Sequence, residues 1–251
     1  MNTVEVKNLV FGEGRPKICV PLVAADAAAL EEQVAALAGL KFDLAEFRAD
    51  FLKDVEQIGF VTACLAKLRV LLKGVPILFT FRTAAEGGEH DVPSEYYFEL
   101  LHAAVASGKI DLIDIELFAG DEEVKKVIAA AKAKGIATVL CNHDFDKTPP
   151  KEEIIYRLRR MQDLGADICK IAVMPQSSAD VLVLLDATET MRSRYARQPL
   201  VTMAMGQRGI VSRLCGEEFG SAMTFGAARQ ASAPGQIAVN DLAFILGVLS
   251  K

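Results

Sequence analysis

Along this chain, short apolar runs alternate with longer stretches in which apolar residues recur at helical spacing. The runs, rich in β-branched residues, read KICVPLV (17–23), DLAEFRAD (43–50), VPILFTFR (75–82), IDLIDIEL (110–117), IATVLCNH (136–143), DICKIAVM (167–174), PLVTMAM (199–205) and SAMTFG (221–226). They follow one another at the interval of a βα unit. Strands that are apolar on both faces need both faces covered, which a parallel sheet wrapped in helices provides. Eight such strands, each followed by a helix, predict an α/β fold, a single (β/α)8 barrel over residues 1–251. An open doubly wound sheet is the alternative. The residues after Val23, AADAAAL, contain no glycine, so the dinucleotide-binding turn of such a sheet is missing. Ahead of the first run, VEVKNLVFGEG alternates and ends at Gly12-Glu13-Gly14, which predicts a β-hairpin able to close the barrel floor.

The stretches between the runs carry helix boundaries. Asp26 precedes AAALEEQVAALAGL, which stops near Gly39. Asp121 precedes EEVKKVIAAAKAKG, with acid in its first turn, lysines in its last and Gly135 beyond its end, the order a helix dipole favours. Thr148 and Pro149 read as the cap and first residue of KEEIIYRLRRMQDLG, which ends at Gly165. DLAFILGVLS supplies a closing helix.

Composition narrows the function classes. With 28 basic and 33 acidic residues the net charge is −5, which excludes a nucleic-acid-binding surface spread over the whole protein. Hydrophobic residues at 51 % and charged residues at 24 % are globular proportions. There is no run of about 18 apolar residues and no leader pattern, so no membrane association is expected. The five cysteines, Cys19, Cys64, Cys141, Cys169 and Cys215, are odd in number and lack C-x-x-C spacing. They read as free thiols in a reducing cytoplasm.

In a barrel, chemistry gathers at the carboxyl ends of the strands. Polar residues crowd there: Glu46 and Arg48 in run two, Arg82 and then Glu86 after run three, Asp114 and Glu116 in run four, and Asn142 and His143 in run five. Lys170 lies within run six, Arg213 follows run seven, and Ser232 and Gln236 lie in ASAPGQ after run eight.

Lys170 is the sharpest signal. Burial and nearby arginines would push its amine toward the neutral, nucleophilic form, which can make a Schiff base with a carbonyl substrate. The other reading is a structural lysine paired with an acid such as Glu46 or Glu116. His143 sits one strand away, about 4.8 Å across a sheet, with a side chain suited to proton transfer. A histidine bonding a backbone carbonyl, or a metal site with Asp144 and Asp146, are its alternatives. Glu86 could orient the imidazole or be a solvated loop acid. Arg48, Arg82 and Arg213 either clamp an anionic, oxygen-rich ligand or neutralise neighbouring acids, and Arg213 with Ser232 and Gln236 suits a phosphate or a carboxylate. The residues taken together describe a Schiff-base barrel acting on a small anionic ketone.

Five segments in order resemble the type I 3-dehydroquinate dehydratases. They are E-F-R-A-D at 46–50, T-F-R-T-A-A-E-G-G at 80–88, C-N-H-D-F at 141–145, G-A-D-I-C-K-I-A-V-M-P at 165–175 and S-A-P-G-Q at 232–236. The resemblance implies dehydration of 3-dehydroquinate to 3-dehydroshikimate in the shikimate pathway, without metal or organic cofactor, by a homodimer. It implies Lys170 as the Schiff-base lysine, His143 as general acid and base, and Glu86 as its orienting partner. It further implies Arg213, Ser232 and Gln236 at the substrate carboxylate, and Glu46, Arg48 and Arg82 around the ring hydroxyls and carbonyl. A class I Schiff-base aldolase acting on a phosphorylated sugar and a non-catalytic carboxylate-binding barrel are the rival readings.

Overall fold

The computed structural model describes residues 2–228 and 232–250, so Ala231 of the ASAPGQ segment lies outside the described residues. Eight parallel strands form the barrel in chain order: β3 (Lys17–Leu22), β4 (Leu44–Arg48), β5 (Ile77–Thr80), β6 (Leu112–Glu116), β7 (Ala137–Asp144), β8 (Ile168–Val173), β9 (Leu200–Ala204) and β10 (Met223–Ala227). β10 pairs with β3, and the ring closes where Ala222 N–H donates to the Leu200 carbonyl at 2.7 Å beside a parallel bridge from Leu200 to Ser221. All eight predicted runs contain a strand. A further two-residue strand, β11 (Ile237–Ala238), pairs with the upper end of β10 and was not predicted.

Helices α1 (Ala27–Ala35), α2 (Ile58–Leu72), α3 (Ser94–Ser107), α4 (Asp121–Ala133), α5 (Lys151–Asp163) and α6 (Ser178–Arg194) cross between strands, and short α7 (Ile210–Leu214) and α8 (Gly216–Phe219) follow β9. α9 (Val239–Leu249) ends the described fold, and no helix among the described residues is long and apolar enough to cross a membrane. Asp26 caps α1 as expected, accepting from the backbone of Ala28 and Ala29 at 3.0 Å. Two predicted starts shift. α4 begins at Asp121 itself, after Gly120, and α5 begins at Lys151, after Pro150. The first lies one residue before the local signal, which put Asp121 at the cap, and the second two residues beyond it, because that crossover must first travel from the strand end to the helix layer.

Period-two alternation places the chemistry. The barrel interior begins at its floor with an apolar layer that includes Leu44, Leu78, Leu112, Val139, Ile168 and Val201. Two and four residues further up the same faces come Glu46 and Arg48, Thr80 and Arg82, Asp114 and Glu116, Cys141 and His143, and Lys170 and Ala172. The outward residues, such as Ile113, Ile115, Leu140 and Ile171, pack in a separate cluster against the helices. The hairpin of β1 (Val4–Val6) and β2 (Leu9–Phe11) drives Val6, Leu9 and the fully buried Phe11 into the floor layer. The barrel is thus sealed below and polar above.

Candidate active site

One cleft at the upper end of the barrel is lined by Glu46, Arg48, Arg82, Glu86, His143, Lys170, Arg213, Ser232 and Gln236.

Lys170 is buried, and its Nζ donates to Asp114 Oδ2 at 3.1 Å while lying 5.0 Å from the centre of the Phe225 ring. This corrects the expectation of a neutral resting amine. Burial does lower the affinity of Lys170 for its proton, but the Asp114 and Glu46 carboxylates outweigh burial, and the pKa is raised. The ion-pair partner is Asp114, not Glu46 or Glu116. Asp114 is itself fully buried and opposes burial with Arg82 and Lys170, which hold its carboxyl down at about 2.

The three arginines divide between the two roles open to them. Arg82 is enclosed by acids: Nη2 meets Asp114 Oδ1, Nη1 donates to Glu116 Oε1 at 2.8 Å, and Glu86 Oε2 lies 3.7 Å away. Arg48 makes a forked pair with the buried Asp50, Nε to Oδ1 at 2.8 Å and Nη2 to Oδ2 at 2.6 Å, and stacks over Phe51. Both therefore neutralise acids. Arg213 does not. Among the described residues no carboxylate pairs with it; its Nη2 donates to the Pro234 carbonyl at 3.1 Å, and its Nε is buried without a partner. Burial alone lowers the Arg213 pKa to about 10.

Glu86 does face the imidazole. Its Oε2 lies 2.9 Å from His143 Nδ1 and accepts the His143 backbone N–H at 2.9 Å, while Oε1 accepts from Asn142 Nδ2 at 3.0 Å. Burial pushes the Glu86 carboxyl up to about 7. Burial, Arg82, Lys170 and Arg48 all push the His143 pKa well below its usual value, so the ring is neutral at neutral pH. With Nδ1 turned to Glu86, Nε2 is the ring nitrogen left for a substrate. The turn carrying Glu86 needs its glycines: Gly87 has φ +83, and a Cβ on Gly88 would lie 1.9 Å from the Arg82 carbonyl oxygen.

Ser232 and Gln236 bond each other, Ser232 N–H to Gln236 Oε1 at 3.0 Å and Gln236 Nε2 to Ser232 Oγ at 3.1 Å. Their segment is fastened over the cleft by Arg48 to the Ser232 carbonyl at 3.4 Å and by Gly206 N–H to the Pro234 carbonyl at 3.1 Å.

The metal alternative on His143, Asp144 and Asp146 does not assemble. Asp144 instead lies 3.7 Å from Arg157 and accepts the backbone N–H groups of Asp146 and Lys147. Glu86, Cys141 and His143 are the trio whose donor atoms converge within 4.8 Å. However, the Cys141 thiol donates to Asp114 at 3.0 Å and accepts from Arg82 at 3.1 Å, and burial raises its pKa strongly, so it stays a thiol beside a guanidinium. Sequence reasoning left the roles of Asp114, Asp50 and Asn142 unassigned. A carboxylate two residues from Glu116 on one face, and the acid two beyond Arg48, were the available signals.

The sequence model described as Type I 3-dehydroquinase matches residues 18–251. A 3-dehydroquinate dehydratase of Listeria monocytogenes serotype 4b is 55 % identical over 251 residues, covering 100 % of this chain and 99 % of that protein. One from Escherichia coli is 51 % identical over 251 residues, covering 100 % of each. The crystal structure of a type I 3-dehydroquinate dehydratase from Clostridium difficile, with covalent modified comenic acid, superposes with a TM-score of 0.96 at 49 % identity, covering 99 % of this chain and 98 % of that one.

Proposed function

The chain belongs to the type I 3-dehydroquinase family, and on that premise we propose that its cleft dehydrates 3-dehydroquinate to 3-dehydroshikimate through an imine on Lys170, as a step of the shikimate pathway. The observation that carries the reading is the arrangement of a buried amine, a neutral imidazole and an unpaired guanidinium around one small cleft.

The substrate carboxylate meets Arg213, whose buried Nε lacks an acceptor, with Ser232 and Gln236 beside it. That contact orients the ring ketone toward Lys170. Nζ reaches the cleft as an ammonium and gives up a proton before it attacks. Asp114, held at about 2, is too weak a base to take it, and that proton is assigned to His143, the neutral base lining the same cleft. Nζ then adds to the carbonyl carbon, and loss of the carbonyl oxygen as water gives the imine. Protonated imine nitrogen withdraws electrons from the adjacent carbon and acidifies its hydrogen. His143 Nε2 removes that proton and an enamine forms. The electron pair then expels the β-hydroxyl, to which the imidazolium returns a proton, so a second water leaves. Addition of water to the imine releases product and restores the amine. Acid–base help of this kind contributes about 10² to 10⁴-fold. Glu46, Arg48 and Arg82 surround the ring hydroxyls.

The same reading takes the whole chain as one catalytic unit, working as a homodimer in the cytoplasm. The five free thiols support a reducing compartment. A sedimentation mass equal to one chain would remove the dimer. For the activity, purified protein is mixed with 3-dehydroquinate in buffer containing a chelator, and the ultraviolet absorbance of the conjugated enone is followed. Rapid appearance is expected. No absorbance from folded protein would overturn the assignment, with aldehyde release from a phosphorylated sugar pointing to an aldolase and binding without turnover to a carboxylate sensor.

A further inference from the structure

Arg157 lies on α5, outside the barrel wall, with its side chain 15 % exposed. Its Nη1 donates to Asn142 Oδ1 at 2.8 Å, its Nε donates to Glu153 Oε1 at 2.8 Å, and its guanidinium lies 5.6 Å from the centre of the Phe118 ring. Asn142 is buried, and its Nδ2 donates to Glu86 Oε1 at 3.0 Å. A continuous chain of contacts therefore runs from the helix layer to the imidazole: Arg157, Asn142, Glu86, His143.

The direction of every bond in that chain is fixed by chemistry. A guanidinium only donates, so it takes the oxygen end of the Asn142 amide. The amide then has only its NH2 end to offer Glu86. Glu86 meets a second obligatory donor in the His143 backbone N–H. A carboxylate facing two groups that can only donate acts as acceptor, so the third contact, His143 Nδ1, carries the hydrogen. Nε2 is left bare toward the cleft. Without Arg157 the amide is free to turn over and bring its oxygen to Glu86 Oε1. Two acceptors at that distance favour a proton on Glu86 Oε1, shared with the Asn142 oxygen, so the carboxyl opposite Nδ1 loses its charge. An uncharged Glu86 no longer stabilises the imidazolium that forms when Nε2 takes a proton from a substrate.

We propose that Arg157, acting through Asn142, is a positioning residue for the reaction: from outside the barrel it fixes the amide orientation that keeps Glu86 a carboxylate opposite His143 Nδ1. The inference rests on His143 being the base. Other charged groups around the pair are Arg82 and Glu116 beside Glu86, and Arg82, Lys170 and Arg48 around His143. Glu153 and Asp144 face Arg157 itself. None of them contacts the Asn142 amide, so none replaces its donation.

The test compares the pH dependence of kcat and KM for the wild type with Arg157→Ala, Arg157→Lys and His143→Ala, with thermal melting of each. In Arg157→Ala the acid limb of kcat is expected to move to higher pH by about one unit. That is about a tenfold loss below neutrality, recovered at alkaline pH. KM changes little, because Arg213 is untouched, and Arg157→Lys, which still donates to Asn142 Oδ1, restores most of the shift. If Arg157→Ala does not fold, Arg157→Met, which keeps a long unbranched side chain without the donor, is read in the same way. An unmoved profile, or an equal loss at every pH, overturns the inference while an inactive His143→Ala leaves the base assignment standing. Near-normal turnover in His143→Ala overturns both.

Discussion

Asp114 lets a lysine rest charged at the centre of a barrel. Two unlike charges buried together are tolerated when geometry and further hydrogen bonds are good, and here Arg82 and the Cys141 thiol occupy the other carboxylate oxygen. The amine is thus held in its charged form. Arg213 is the opposite case, a buried cation left one partner short. Truncating one partner of a buried charge pair costs about 2–5 kcal/mol, so Arg213→Ala should raise KM by about 30-fold or more while altering kcat less. Steady-state kinetics checks this, and an unchanged KM would move the carboxylate elsewhere. The site residues were legible in the sequence because charge inside an apolar run is costly and therefore conspicuous. Their pairing was not. That Cys141 stands opposite Lys170, and Glu116 opposite Cys141, is a matter of strand register, which no single chain spells out. The protonation state of Lys170 was misjudged for that reason.

The elements carry a division of labour along their length. One inward-facing position low on each of β4 to β9 is apolar, and the positions above it are polar on most of these strands. A single alternating pattern therefore builds both floor and site. The hairpin completes the floor. Because Phe11 is fully buried among Cys19, Met223 and their neighbours, Phe11→Ala should cost about 3–5 kcal/mol through lost burial and a cavity. At this chain length that lowers Tm by roughly 10 °C. Calorimetry measures it, and an unchanged Tm would mean the hairpin is an ornament. Strands and hairpin were readable because their patterns are local. The start of α5 at Lys151 and the short β11 were not, since the one depends on how far the chain must travel between layers and the other on a partner supplied by another strand.

At the scale of the whole molecule, closure of the ring is what brings residues from β4 and from the segment after β10 into one cleft. Arg48 reaching the Ser232 carbonyl spans 184 positions of sequence. Alternation and interval implied the barrel; the assignment of one reaction to it came from five ordered segments resembling a known family, which the comparisons bear out along the chain. The central claim is that Lys170 becomes covalently bonded to the substrate. It is tested most directly by adding borohydride to the protein during turnover of 3-dehydroquinate and mapping the added mass by peptide analysis. A reduced adduct on the peptide containing Lys170 is predicted, with no adduct and no turnover in Lys170→Ala, whose Asp114 still keeps Arg82 and so still folds. Normal turnover with no trapped mass, or an adduct on another lysine, would contradict the account.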